Sequence, residues 1–167
     1  EKGIALVTED RRADGIVGIH SISDNAVLVS MDKLFPSHVI KPQKLKKEVQ
    51  KYFDQLNIKA PNMDMLVQKL SGGNQQKVVL SKWLMQGPKI LILDEPTRGI
   101  DVGAKAEIYK IMVQLAKQGI AIIMISSELP EILNMSDRIL VIGDGRIKGE
   151  FNAAEATQKK IMEAAVG

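Results

Sequence analysis

Short unbroken apolar runs alternate along this chain with apolar residues at helical spacing, and that alternation predicts an α/β domain with a mainly parallel sheet. Ile4-Ala5-Leu6-Val7 reads as a buried strand, and the polar, glycine-containing stretch from Thr8 to Gly18 as a loop. Ile22 to Met31 has room for a short helix of weak periodicity. Pro42 opens a clearer helix, at the first helical position where its missing N–H is no loss, with Leu45, Val49, Phe53 and Leu56 on one stripe. Ser71 stands where it caps a helix that begins in Gly72-Gly73, carries Val78, Val79, Trp83 and Leu84, and stops at Gly87-Pro88. Ile90 to Leu93 has the continuous apolar character of a central parallel strand. Residues 103–118 form a further amphipathic helix with Ile108, Ile111, Met112 and Leu115 inward, and Gly119 follows as its C′ residue. Ile120 to Ile125 reads as a second buried strand, and Pro130 starts a short helix. Ile139 to Ile142 and Ile147 to Phe151 flank Gly143-Asp144-Gly145 as a hairpin, and the last dozen residues read as helical.

Composition narrows the class. At 167 residues the chain is long enough for one domain with a real core. A net charge of +3 is too small an excess to argue for nucleic acid. Lysines 44, 46, 47 and 51 lie mostly off the apolar stripe of their helix and read as its solvated face. With no cysteine there is neither a disulfide framework nor a thiolate metal site, which fits a reducing compartment. The longest aliphatic-type run, Ile120 to Ile125, falls far short of the ~20 residues that span a bilayer. The chain opens Glu1-Lys2-Gly3, without methionine or a secretory signal, and is read as beginning inside a larger polypeptide.

Two stretches carry the chemistry. Four aliphatic residues followed by Asp94-Glu95 put two carboxylates at the carboxyl end of a buried strand, the edge where open α/β sheets bind ligands. Ser71-Gly72-Gly73 puts small residues and free N–H groups at a helix start, which favours anions through orphan donors and the helix dipole. Taken singly, the first can also be an ordinary acidic loop after a strand, and a lone Ser-Gly-Gly is more often just a turn with a cap.

Read together with their flanks, Leu70-Ser71-Gly72-Gly73-Asn74-Gln75-Gln76-Lys77 and Asp94-Glu95-Pro96-Thr97-Arg98-Gly99-Ile100-Asp101 resemble the signature and Walker B motifs of ATP-binding-cassette (ABC) ATPases. With Ser126-Ser127-Glu128-Leu129-Pro130-Glu131 and Val7-Thr8-Glu9-Asp10-Arg11-Arg12, the resemblance narrows to the second cassette of bacterial monosaccharide importers of the ribose/galactose/xylose class, over nearly the whole chain. The resemblance implies ATP and Mg²⁺ as cofactors. Asp94 would hold Mg²⁺ through water, and Glu95 would polarise the attacking water. Ser71, Gly72, Gly73 and Gln75 would meet ATP held by a second cassette, with Asp101 and Glu9 beside the nucleotide. Glu9 stands where most cassettes have glutamine, and Ser127 where most have a switch histidine. A serine hydroxyl is shorter than histidine and always neutral, so altered hydrolysis is expected at this site.

No G-x-x-x-x-G-K-[ST] occurs in the chain, and Lys105 lacks the preceding strand and the glycine spacing to replace it. The chain is therefore read as a partial P-loop cassette: residues 10–87 a helical signature subdomain, 1–9 and 88–167 a remnant of the RecA-like core. The parent is expected to be an ATPase and the isolated chain inactive. In the family fold the P-loop strand neighbours the strand at Ile120–Ile125, so apolar surface and unpaired backbone are expected at that edge. Implied partners are a second cassette, membrane permease subunits and, indirectly, a periplasmic or extracellular sugar-binding protein. The implied place is the cytoplasmic face of the inner membrane, peripherally bound. The alternative is a non-hydrolysing cassette remnant that serves as a dimerisation or docking module. A soluble ABC ATPase of DNA repair or translation would carry a long coiled coil or a strongly basic linker, and neither is present. His20 and His38 read as loop or surface residues, Arg138 as a structural salt-bridge partner, Arg98 as a partner for phosphate or carboxylate, and Met112 and Met124 as packing.

Overall fold

A three-stranded parallel sheet organises the first of the two units into which the chain divides, the one ending at Ile125. The structure is a computed structural model and describes residues 3–166. Glu1, Lys2 and Gly167, which fall within the expected cassette limits and carry the expected boundary at the chain start, lie outside the described residues. β1 (Ile4–Val7), β2 (Ile90–Asp94) and β3 (Ala121–Ile125) lie in the order β1-β2-β3, with Leu6, Ile92 and Ile123 in register. β2 is central, as its unbroken apolar run predicts, and Leu91 and Leu93 are fully buried.

The two outer strands correct the expectation of burial. In β1, Ala5 and Val7 are buried while Ile4 and Leu6 are exposed. In β3, Ile123 is 52% and Ile125 49% exposed, and Met124 is only half-buried. The reason is the face: by register Ile4, Leu6, Ile123 and Ile125 lie on the same side of the sheet as half-buried Ile90 and Ile92, a side left open to solvent, and among the described residues no strand pairs with the outer edge of β3. One row of side chains in each outer strand is left in solvent, and the apolar edge expected here is present.

Helices cover the other side. α1 (Ile22–Val27), α2 (Met31–Leu34) and α3 (Pro42–Gln55) precede α4 (Gly72–Leu84), and α5 (Val102–Lys117) joins β2 to β3. α4 packs on β1 and α1, and α5 on β3 and α4. In α5, Ile108, Ile111, Met112 and Leu115 are buried, as the periodicity predicts, and Gly119 follows at φ +90°. On α3, buried Val49 and half-buried Leu45 and Phe53 pack with Ala26, Val27, Met63 and Met85, and Leu56, buried as well, is the residue that ends the helix. α1 starts with a reciprocal cap between Ser21 and Asp24. The loop expected over Thr8–Gly18 holds a helical turn at Arg11–Gly15, because Asp10 Oδ1 accepts from Arg12 N and Ala13 N at 2.9 and 3.0 Å.

The second unit begins at Ser126. It holds α6 (Leu129–Met135), the antiparallel pair β4 (Arg138–Gly143) and β5 (Arg146–Asn152), and α7 (Gln158–Val166), whose Ile161 packs on Ile139 and Val141. The turn at Asp144 and Gly145 has φ of 50° and 71°, the two positive values a type I′ hairpin needs. Arg138 forms the expected salt bridge, Nε to Glu150 Oε1 at 2.5 Å. Among the described residues no helix is long and apolar enough to cross a membrane.

Candidate functional site

The carboxyl end of β2 turns sharply. Asp94 is its last residue, and Glu95 follows with φ 45°, in the left-handed region that a glutamate enters at a cost. Glu95 N donates to Ile125 O at 2.9 Å, which ties the turn to the end of β3. Pro96 and Thr97 are buried, Gly99 takes φ 66°, and Asp101 caps α5 by accepting from Ala104 N at 2.9 Å. Residues 94–101 are thus a tight connection with Asp94 and Glu95 at one end and Asp101 at the other.

Arg11 clamps this connection. Its Nη1 donates to Arg98 O at 2.7 Å and its Nη2 to Gly99 O at 3.3 Å. Burial lowers its pKa from the ordinary value, with Arg12 beside it contributing next. The Arg98 side chain pairs with Glu9, a carboxylate partner of the kind expected for it. The start of α4 closes on the same place: a Cβ on Gly72 would fall 2.7 Å from Arg11 Nη2 and 3.2 Å from Gly99 O. Glu9, Gly72 and the 94–101 connection are thereby brought together.

Ser71 occupies the N-cap position of α4, but the expected side-chain cap is absent. Its Oγ instead accepts from Asn74 Nδ2 at 3.0 Å, and Asn74 Oδ1 accepts from Lys59 N at 2.8 Å. Among the described residues no side chain caps the first N–H groups of α4, so they keep the donor capacity an anion needs. Gly73 is buried, and a Cβ there would lie 2.5 Å from Ala104 Cβ, so this glycine sets how closely α4 and α5 approach. The sequence alone places it only among the residues that would meet ATP. Gln75, expected among the nucleotide contacts, is 3% exposed. Its Nε2 donates to Val67 O and Leu70 O at 3.4 and 3.2 Å, so here the side chain ties the helix to the preceding turn, and its Oε1 has no hydrogen-bond partner among the described residues.

Three residues beside this helix start were given no role by the sequence reading. An open cavity of about 280 Å³ lies between Lys59, Ser71 and Asn74 on one side and Asp101, Gly103 and Glu107 on the other. Glu107 accepts from Lys77 Nζ at 2.7 Å and from Lys59 Nζ at 2.9 Å. Lys77 is 2% exposed and also donates to Asn57 O at 2.7 Å. The Lys77 bond first, then the Lys59 bond, pushes the Glu107 carboxyl down to about 2. The signal available was a lysine in a helix that the flanking Val78, Val79 and Leu80 bury, which demands an acidic partner.

Ser127 is exposed and lies in the second unit, where Ser126 Oγ donates to Glu131 Oε2 at 2.8 Å. Lys105 lies within α5, and His20 and His38 are exposed. Among the described residues no cluster of three or more His, Cys, Asp or Glu is arranged to hold a metal. A single carboxylate at a strand end does fit Mg²⁺, which keeps several waters and draws its remaining ligands from substrate phosphates. The uncapped start of α4 likewise fits a phosphate oxygen.

The model of the ABC transporter family matches residues 4–98. The chain is 56% identical over 165 residues to the xylose import ATP-binding protein XylG of Geobacillus kaustophilus, covering 99% of this chain and 33% of that protein. It is 50% identical over 167 residues to the ribose import ATP-binding protein RbsA of Bacillus subtilis, covering 100% of this chain and 34% of that one. The chain thus spans about a third of the length of the curated relatives it matches. Among solved structures it superposes on cbiO1 of Clostridium perfringens, part of the ABC transporter complex cbiONQ, with a TM-score of 0.77 and 25% identity, covering 96% of this chain and 61% of that one. A dimeric ATP-binding cassette bound to ADP and Pi matches with a TM-score of 0.74 over 90% of this chain and 62% of that one, at 18% identity, a likeness of fold alone.

Proposed function

The chain belongs to the ABC transporter family, and from that premise we propose that it is part of the ATP-hydrolysing subunit of a monosaccharide importer. In this reading it supplies the signature, Walker B, D-loop and switch elements of a second cassette. The observation that carries the proposal is Glu95, a glutamate held in left-handed backbone at the carboxyl end of the central strand. Strain of this kind collects at active sites, where surrounding structure over-determines the conformation. The names of the import proteins that match over almost the whole chain support the monosaccharide assignment.

When bound, ATP with Mg²⁺ supplies the phosphoryl group that passes to water and the charge that makes it reactive. Asp94 would hold the metal through water, and Glu95 would accept a hydrogen bond from the attacking water and orient it. Ser71, Gly72 and Gly73 offer a hydroxyl and backbone N–H groups to ATP carried by a second cassette. Gln75 acts one step back, by fixing the turn before α4. Asp101 and Glu9 border the nucleotide, and Ser127 takes the place of a switch histidine. Residues 10–87 form the helical signature subdomain, and residues 1–9 with 88–167 belong to the RecA-like core. The partners are a second cassette, permease subunits and, through them, a periplasmic or extracellular sugar-binding protein, with the subunit peripheral on the cytoplasmic face of the inner membrane. A non-hydrolysing docking module is the second reading, favoured by serine at 127 and by the engagement of Glu9 with Arg98.

One experiment tests both. In the full-length protein that contains this chain, Glu95→Gln should slow single-turnover ATP hydrolysis at the composite site by about 10²-fold or more while nucleotide affinity holds. Wild-type single-turnover rates in that variant would remove Glu95 from catalysis and favour the docking module.

A further inference from the structure

A polar bond at Ser71 limits the direction of its proton. Asn74 lies in the first turn of α4 and is half-buried. It bonds two partners at once, Lys59 N through Oδ1 at 2.8 Å and Ser71 Oγ through Nδ2 at 3.0 Å. The amide orientation follows from chemistry: a backbone N–H only donates, so the atom facing Lys59 N is the oxygen and the NH₂ faces Ser71. A serine hydroxyl has one proton and two acceptor lone pairs. With a lone pair filled by Asn74, and only hydrogens on that side, the Ser71 proton has to point elsewhere. Ser71 is exposed and does not cap the helix, so its proton is available to an acceptor outside the chain.

The frame that holds Asn74 has anchors of its own. Lys59 Nζ donates to Glu107 Oε1 at 2.9 Å. Buried Lys77 binds both Glu107 Oε2 and Asn57 O, each at 2.7 Å, and so fixes the segment that presents Lys59 N. α4, α5 and residues 57–59 are linked in one hydrogen-bonded frame that ends at the Ser71 hydroxyl.

We propose that Asn74 is a positioning residue for ATP hydrolysis, holding the Ser71 hydroxyl as a donor toward a γ-phosphate oxygen of ATP carried by a second cassette. The proposal rests on the reading of Leu70–Lys77 as a signature that acts across a cassette interface. Asn74 touches no substrate in this role and acts through Ser71.

A double-mutant cycle in the full-length protein tests it, with single-turnover hydrolysis of ATP·Mg as the readout. Ser71→Ala should slow the reaction by about tenfold or more, the worth of a hydrogen bond to a charged group. Asn74→Ala should slow it by about three- to tenfold. Ser71→Ala with Asn74→Ala should match Ser71→Ala alone within about twofold, since there is no hydroxyl left to orient. Asn74→Asp serves if the alanine variant does not fold. It keeps the shape and the acceptor for Lys59 N, but its carboxylate takes the Ser71 proton for itself. Its loss should shrink at least about threefold when Ser71 is already alanine. If Ser71→Ala hydrolyses at the wild-type rate, the signature reading falls and the role of Asn74 falls with it. If Ser71→Ala is slow but the Asn74 losses are undiminished in that background, the signature reading stands and the positioning role is overturned.

Discussion

Truncating Glu107 should harm the chain more than deleting the buried charge it serves. Lys77 is 2% exposed and has two acceptors, Glu107 Oε2 and Asn57 O, both at 2.7 Å. Glu107→Ala leaves that ammonium with a single carbonyl, and breaking a buried ion pair costs about 3–5 kcal/mol. Glu107 is itself 35% exposed, so water enters the vacated space, and about 2–3 kcal/mol is expected. Lys77→Met removes the charge and keeps the apolar stem, leaving Glu107 paired with Lys59 near the surface, at about 1 kcal/mol or less. The double variant should recover much of the loss, a coupling of about 1–2 kcal/mol. Urea unfolding followed by fluorescence of the single tryptophan, Trp83 on α4, reads all four forms. Acid titration gives a second check. Glu107 is held at about 2 in the fold against an ordinary value of 4.5. Its contribution is therefore complete above about pH 4.5 and is lost as the pH falls toward about 2. At full strength that gap is about 3 kcal/mol, and the group's exposure cuts it to about 1–2. Glu107→Gln should flatten this acid limb. A larger penalty for Lys77→Met than for Glu107→Ala, or an unchanged acid limb in Glu107→Gln, would refute the reasoning.

Gly73→Ala should destabilise the chain by about 1–3 kcal/mol through the 2.5 Å approach of its Cβ to Ala104, and Ala104→Gly should restore much of that stability in thermal melts. If Ala104→Gly gives no rescue, the contact is not the cause. ATP·Mg should bind the 167-residue chain only at about millimolar concentration or weaker, because no G-x-x-x-x-G-K-[ST] is present to cradle its phosphates; micromolar affinity by calorimetry would contradict this.

What the sequence made legible follows from how local each signal is. α5 was readable because Ile108, Ile111, Met112 and Leu115 recur at helical spacing, and the β4–β5 turn because Asp144-Gly145 suits the left-handed backbone it adopts. β3 was misread as buried because an unbroken apolar run looks the same in a central strand and in an edge strand. The identity of its neighbours decides between them. Asp94, Glu95 and Asp101 were placed correctly on the β2–α5 connection, since motif and strand are contiguous. Ser71 was expected to cap its helix, but Asn74 competes for its oxygen, and that choice depends on Lys59 fifteen residues away. The clamp of Arg11 on Arg98 and Gly99 joins residues far apart in sequence, where no pattern along the chain has a grip, and although the neighbours of Lys77 signal its burial, nothing along the chain singles out Glu107 as its partner.

Glu95 adds a tension between two kinds of selection. Its φ of 45° is one that glycine enters freely and that costs a glutamate about 1 kcal/mol or more. A lineage screened only for heat resistance would gain by drifting to glycine at this position. On the role proposed above for Glu95, a lineage that must spend ATP would hold the acidic side chain against that pull. The residue found at 95 is thus a marker of which demand a descendant of this sequence has been under, and a library of variants at this one site, grown under each regime in turn, would separate the two.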